Sequence, residues 1–142
     1  EDSGQFVAIA KGKGRKLRCG SKVAVISLGH PGNFVAEALN TLEQQGVFAA
    51  HYDLRFLKPL DKDLLLEAFS QYEHIITVED GVIQGGMGSA ILEWAAEQGF
   101  ARSIRRLGIP GQFVPHGAPE QLYRYCGFDS EGIVRAILEV LE

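Results

Sequence analysis

The segment Val23-Ala24-Val25-Ile26-Ser27-Leu28 is a nearly continuous apolar stretch, which is typical of a β-strand that is buried on both faces. Gly46 lies farther along, where a glycine can end a helix. We therefore predict that this stretch forms a buried strand and that a helix follows it. Between strand and glycine, apolar residues recur at the intervals of an amphipathic helix: Phe34, Val35, Ala38, Leu39 and Leu42.

Strand and helix patterns alternate along the rest of the chain. Such alternation predicts an α/β fold in which helices cover both faces of a mostly parallel sheet, and residues 15–18 are expected to add a short edge strand. The other predicted strands cover residues 47–54, 74–78 and 103–107, and the other predicted helices follow Asp61, run from about Ser89 to Gln98, and follow Asp129 or Ser130.

The composition is that of a globular domain, since 46% of the 142 residues are apolar and 23% are charged. The net charge of −4 argues against a nucleic-acid partner, because neutralising phosphates requires a basic surplus. No apolar run reaches the length of a membrane span, and residues 1–8 lack the apolar core of a signal peptide. Cys19 and Cys126 are too few for a disulfide framework or a zinc site. We therefore expect a cytoplasmic protein with reduced thiols and no metal.

Positive charge is concentrated just before the first buried strand. Lysines on a twisted edge strand discourage the addition of further strands, and we favour this interpretation over contact with a polyanion. The cations are Lys11, Lys13, Arg15, Lys16, Arg18 and Lys22.

The loop between strand 74–78 and the next helix is the most suggestive of function. Open α/β sheets bind ligands at the carboxyl ends of their strands, and glycines allow an anion to approach a helix N-terminus. The alternative is a tight turn that packs the helix against the sheet or a neighbouring domain, and on that view a valine at Gly86 should harm folding or docking. The spacing fits neither GxGxxG nor GxxxxGK[ST]. The candidates for anion binding or a domain interface are Glu79, Gly85, Gly86, Gly88 and Ser89.

Three other loop residues could carry chemistry. His30 follows the first buried strand and would flank the same crevice as the glycine loop if their two strands are neighbours. Arg55 could clamp a carboxylate or phosphate, but we favour an ion pair with Glu79 or Asp80. His116 lies in a loop rich in proline and glycine without an evident orienting partner, so an interface role is favoured over a catalytic one.

Five motifs follow one another in a characteristic order. They are Gly12-Lys13-Gly14-Arg15, then Val23 to Gly29, then Asp53-Leu54-Arg55-Phe56-Leu57-Lys58-Pro59-Leu60-Asp61, then Thr77 to Gly81 with Gly85 to Ser89, and finally Leu107 to Pro110 with Phe113 to Gly117. This series resembles the C-terminal third of the 1-deoxy-D-xylulose-5-phosphate synthases, from about Ile9 to the end of the chain. The third and fifth motifs point to the synthases in particular.

The resemblance implies a three-layer α/β/α domain with a five-stranded mixed sheet, in which residues 15–18 run antiparallel. It also implies a full-length enzyme that condenses pyruvate with glyceraldehyde 3-phosphate, releases carbon dioxide and supplies isoprenoid, thiamine and pyridoxal biosynthesis. In such transketolase-like enzymes, thiamine diphosphate and Mg²⁺ lie between two upstream domains, and the GDG motif that holds the diphosphate is missing here.

The chain is therefore expected to be a single domain, residues 1–142, with residues 1–8 as a linker from an upstream domain. It is expected to bind no cofactor, to hold no catalytic residue and to be inactive alone. Its partners would be the upstream catalytic domains of the same protein, within a homodimer, with no nucleic acid and no membrane.

The sequence departs from the family pattern at three positions. Leu54, Asp80 and Gly111 stand where the family usually has a small residue, a Glu and an Asp, and the last departure weakens the transfer of roles at position 111. Two alternatives stay open. One is the C-terminal domain of a transketolase or of a 2-oxoacid dehydrogenase beta subunit, which shares the glycine-loop motif. The other is a free-standing module that binds an anion or small ligand through residues 85–89.

Overall fold

A computed structural model of the chain describes residues 12–83, 85–110 and 119–142. Five strands and five helices alternate in these residues, except that two strands come in succession at the start and two helices at the end. The elements are β1 (Arg15–Arg18), β2 (Val23–Leu28), α1 (Gly32–Glu43), β3 (Ala50–Asp53), α2 (Lys62–Gln71), β4 (His74–Val82), α3 (Met87–Gln98), β5 (Ser103–Ile109), α4 (Pro119–Cys126) and α5 (Ser130–Leu141).

The strands form one five-stranded sheet in the order β1-β3-β2-β4-β5. β1 pairs antiparallel with β3, whereas the β2–β3, β2–β4 and β4–β5 pairs are all parallel. The predicted fold class is confirmed, including the antiparallel edge strand at residues 15–18. The strand predicted over 47–54 is shorter in the structure, and α4 was not predicted.

Alternate residues of the sheet face two separate apolar layers, because successive side chains of a strand point to opposite faces. Val23 and Val25 join the layer under α1 and α5. Ala24 and Ile26 join the layer under α2 and α3. β2 is therefore buried on both faces, as its apolar stretch predicts.

Two aspartates fix the starts of helices in the way expected of N-cap residues. The Asp61 carboxylate accepts a hydrogen bond from the backbone N–H of Leu64 at 3.1 Å and another from that of Gly14 at 2.8 Å. The Asp129 carboxylate accepts from the N–H of Gly132 at 2.9 Å. Of the two residues proposed to cap the last helix, the structure therefore selects Asp129.

The cations at the β1 edge have partners on the neighbouring helices. Lys16 Nζ lies 3.1 Å from Glu67 Oε2, Lys13 Nζ lies 3.9 Å from Asp63, and Arg18 donates to Asn40 at 2.6 Å and lies 3.8 Å from Glu43. Three of the six cations, Lys13, Lys16 and Arg18, thus have acidic partners within the domain, which favours the edge-strand interpretation over a polyanion site.

Two expectations drawn from the composition, on membrane spans and on cysteines, can be compared with the described residues. No helix there combines the length and apolarity that a membrane crossing requires. Cys19 is exposed and Cys126 is half-buried, and both are free thiols. Burial raises the pKa of the Cys126 thiol, which keeps it in its less reactive protonated form.

Candidate functional site

The glycine loop and the His30 loop lie side by side at one edge of the sheet. β2 and β4 are adjacent and parallel, and Leu28 is in register with Glu79. The strand order also reverses here, since β3 lies on one side of this strand pair and β5 on the other. Open α/β sheets bind ligands at such a switch point, so the crevice expected from the sequence has the right position.

The Glu79 side chain occupies the start of α3. Glu79 is buried, with 4% of its surface exposed, and its Oε1 and Oε2 accept hydrogen bonds from the backbone N–H groups of Met87 and Gly88, both at 2.8 Å. A carboxylate at this position is favourable because the N-terminus of a helix carries partial positive charge. Glu79 is therefore the internal cap of α3.

Ser89 ties the other side of the loop together. Its hydroxyl donates to the carbonyl of Ile83 at 2.7 Å and accepts from the N–H of Gly85 at 3.3 Å and from Arg106 Nη1 at 3.1 Å. The N–H of Gly86 donates to the same Ile83 carbonyl, at 3.2 Å. The backbone donors of residues 85–88 thus all have partners inside the domain.

The glycines of the loop differ in whether their conformation or their surroundings require a glycine. Gly85 has φ +82°, a left-handed conformation that favours glycine. A Cβ on Gly88 would lie 2.9 Å from Thr77 Oγ1 and 3.0 Å from the Arg106 side chain, so helix and sheet approach closely there. Gly86, by contrast, has φ −92° and ψ −159°, which other residues also adopt. The turn conformation at Gly86 therefore gives no reason why a valine there should harm folding or docking, and the effect of that substitution stays a prediction.

These hydrogen bonds decide what the loop can hold. A phosphate or diphosphate would have to displace the Glu79 carboxylate from the N–H groups of Met87 and Gly88, and it would then lie beside that negative charge. The loop therefore does not fit the diphosphate of thiamine diphosphate. Among the described residues, no three His, Cys, Asp or Glu side chains are grouped to hold a metal ion.

The ion pair expected for Arg55 is not formed. Arg55 lies in the left-handed region with φ 66°, and its backbone N–H donates to the Asp53 carboxylate at 3.1 Å. Its guanidinium pairs with neither Glu79, which caps α3, nor Asp80, and forms no ion pair within the described ranges. The prediction failed because Glu79 points into the helix start instead of across the crevice.

An aromatic and polar cluster lies at the His30 loop. The ring of His30 lies 5.3 Å from that of Phe34 and 6.2 Å from that of Tyr123. The Tyr123 hydroxyl donates to Asp80 at 3.2 Å, and burial together with that carboxylate raises the pKa of Tyr123. His30 is thus an exposed residue of the loop ahead of α1, in contact with two aromatic rings.

Tyr123 was missed by the sequence analysis because α4 was missed. The signal was present, since Pro119 and Glu120 suit a first helical turn and Leu122, Tyr123 and Cys126 are spaced for one helix face. His116 lies outside the described residues, so its role stays a prediction.

Comparison with known proteins places the domain. Residues 12–133 match the family described as transketolase, C-terminal domain. The chain belongs to this family.

The transketolase C-terminal domain found here is similar to parts of 1-deoxy-D-xylulose-5-phosphate synthases. The enzyme of that name from Bacteroides fragilis is 52% identical over 130 residues, which cover 91% of this chain and 20% of the relative. The one from Bacteroides thetaiotaomicron is 48% identical over 135 residues, which cover 94% of this chain and 21% of the relative. The resemblance stated from the motifs is confirmed, although the chain spans about a fifth of these relatives rather than a third.

A solved structure shares the fold closely. A split-gene transketolase, an inactive β4 tetramer, superposes with a TM-score of 0.85 and 28% identity, covering 94% of this chain and 43% of that one. This likeness agrees with a transketolase C-terminal domain. The more specific similarity is the one to the synthase relatives.

Proposed function

We propose that this domain is the C-terminal part of a 1-deoxy-D-xylulose-5-phosphate synthase and that its role is structural. The full-length enzyme would join pyruvate and glyceraldehyde 3-phosphate with loss of carbon dioxide, using thiamine diphosphate and Mg²⁺ held by upstream domains, in the cytoplasm. The observation that carries the proposal is the 52% identity to the Bacteroides fragilis synthase over 91% of the chain.

The internal hydrogen bonding supports a structural role for the domain. The backbone donors of residues 85–88 are satisfied by Glu79, Ser89 and Ile83, so the most suggestive motif serves the domain's own fold. The domain would pack on the catalytic domains and support a homodimer, and it would be inactive alone. Arg55, Gly85, Gly86 and Ser89 then belong to or near an interface instead of a cofactor site.

A transketolase is the alternative with an observation in its favour, namely the structural likeness at 28% identity. The synthase is preferred because synthase relatives reach 41 to 52% identity over nearly the whole chain. The alternative is separated by substrate, since a transketolase transfers a two-carbon ketol unit between sugar phosphates, whereas the synthase consumes pyruvate.

The test begins with the coding sequence upstream of the Glu1 codon, which should continue in frame and encode GDG. The full-length protein should then form 1-deoxy-D-xylulose 5-phosphate from pyruvate and glyceraldehyde 3-phosphate when thiamine diphosphate and Mg²⁺ are added. The 142-residue chain should form none, and calorimetry should detect no binding of the cofactor to it. Tight cofactor binding by this chain, or ketol transfer without pyruvate consumption by the full-length protein, would overturn the proposal.

A further inference from the structure

A groove lies between the loop that follows β3 and the start of α3. We call it the loop–helix groove. It has a volume of about 370 Å³. Its apolar lining comes from Leu57, Pro59, Leu60, Gly85, Gly86 and Ala90.

The walls of the loop–helix groove are held in place from behind. Leu57 and Leu60 pack on the core layer under α2 and α3. Asp61 fixes the end of the loop through the N–H groups of Gly14 and Leu64. A Cβ on Gly12 would lie 2.8 Å from Pro59, so this backbone braces the loop closely. The groove is thus preformed, which lowers the entropy lost on binding.

Two exposed lysines, Lys58 and Lys62, line the same groove. Neither forms an ion pair with any residue that the structure describes. Lys16 and Arg18 on β1 differ from them, since each has an acidic partner. An apolar floor with uncompensated positive charge beside it is complementary to an apolar group that is flanked by a carboxylate.

We infer that the loop–helix groove is the docking site for a segment of the upstream catalytic domains, one that inserts an apolar side chain and presents an Asp or Glu to Lys58 and Lys62. The inference rests on the proposed function, because this chain spans only about a fifth of its synthase relatives. A protein segment fits better than a free phosphate, since the neighbouring N–H groups of residues 85–88 are already hydrogen-bonded inside the domain.

Photo-crosslinking in the full-length protein tests this inference. A benzophenone amino acid is placed at Lys62 in one variant and at Lys22 in another. Lys22 is a matched control because it is also an exposed lysine but precedes β2, at the opposite end of the strands. We expect a several-fold higher crosslink yield at Lys62, and mass spectrometry should map the product to an upstream segment that contains an acidic residue.

A charge variant gives a second readout. Lys58→Glu should expose the interface of the full-length protein, which is seen as faster limited proteolysis between this domain and the upstream domains. Lys22→Glu makes the same change of charge and should leave the proteolysis rate unchanged. Both substitutions are on exposed side chains, so neither variant is expected to unfold.

The outcomes distinguish a failure of the docking site from a failure of the proposed function. Equal crosslinking at Lys62 and Lys22, or a product mapped to a second copy of this domain, overturns the docking site even if the enzyme makes 1-deoxy-D-xylulose 5-phosphate. A specific upstream crosslink in a protein without that activity supports the docking site and overturns the proposed function instead.

Discussion

Two basic regions of this domain look alike in sequence and differ in the folded chain. At the β1 edge, Lys16 and Arg18 meet acidic side chains of α2 and α1. Beside the loop–helix groove, Lys58 and Lys62 have no such partner among the described residues. Groups that are satisfied inside the domain should contribute to its stability, whereas groups without an internal partner are available to another surface.

The largest effect is expected at the glycine loop, where the polar groups have hydrogen-bond partners inside the domain. Glu79→Ala leaves the N–H groups of Met87 and Gly88 without acceptors in a buried position, which should lower the free energy of unfolding by about 3 kcal/mol. Urea denaturation of the chain measures it. Asp80→Ala, one position farther on at an exposed carboxylate, is the control and should cost less than about 1 kcal/mol. Equal losses would show that the Glu79 cap does not hold the loop.

The next effect is a pH dependence at the β1 edge. His51 is buried beside Ser27, with 2.8 Å between His51 Nε2 and Ser27 Oγ, and burial followed by the charge of Arg18 lowers the pKa of His51 from 6.5 to about 4. Between these values the unfolded chain binds the proton more readily. The free energy of unfolding should therefore fall, by about 3 kcal/mol in total, as the pH drops from 6.5 through 4.

Replacing the imidazole isolates this contribution. His51→Gln keeps a polar group opposite Ser27 but removes the titration, so its stability should change less over the same pH window. Above pH 7 the native and variant curves should run parallel, because His51 is neutral in both states there. A variant curve as steep as the native one between pH 6.5 and 4 would assign the dependence to other groups.

A smaller effect is expected for the acid that neutralises the β1 edge. Glu67 accepts hydrogen bonds from Lys16 at 3.1 Å and from the buried Tyr52 hydroxyl at 2.9 Å, and these two contacts lower the pKa of Glu67. Glu67→Ala should cost about 1 kcal/mol, measured by urea denaturation at neutral pH. The contribution of Glu67 to the free energy of unfolding of the wild-type chain should be lost as the pH falls through the folded-state pKa of Glu67. The reason is that the two contacts stabilise the ionised carboxylate, which is no longer present at low pH. Glu97→Ala, on the exposed face of α3, should cost little, and an equal cost would remove the contrast.

The smallest effect on stability is expected for the two lysines beside the loop–helix groove. Lys58→Glu and Lys62→Glu should each change the free energy of unfolding of the chain by less than about 0.5 kcal/mol, in contrast to their expected effect on docking in the full-length protein. Thermal unfolding of the chain measures this. A decrease of more than about 1 kcal/mol in the free energy of unfolding for either lysine would show that it stabilises the domain itself. The two basic regions would then not differ in this respect.

The fold was largely predictable because its signals are local. The apolar run of β2, the helical spacing before Gly46 and the N-cap position of Asp61 each depend on neighbours in the sequence. β3 was predicted too long, and α4 was missed between a loop rich in proline and glycine and the strong α5 pattern. The candidate site was found only in outline, since its position followed from strand order but its hydrogen bonds did not.

Glu79 and Arg55 show where sequence reasoning stopped. Both were recognised as loop residues with functional chemistry, and an ion pair between them was a reasonable expectation. The structure instead directs Glu79 to two N–H groups at the start of α3. Which partner a carboxylate selects depends on distances of a few ångströms, and these are set by how α3 packs on the sheet.

The sequence by itself determined the α/β alternation and the family, because periodicity and motif order are properties of neighbouring residues, and the resemblance to that family implied the antiparallel edge. Only the tertiary structure decided which charged side chains are paired within the domain and which remain available to a partner. The physical reason is that a charge is neutralised by groups brought close in space, such as Lys16 and Glu67, which lie 51 positions apart in the chain.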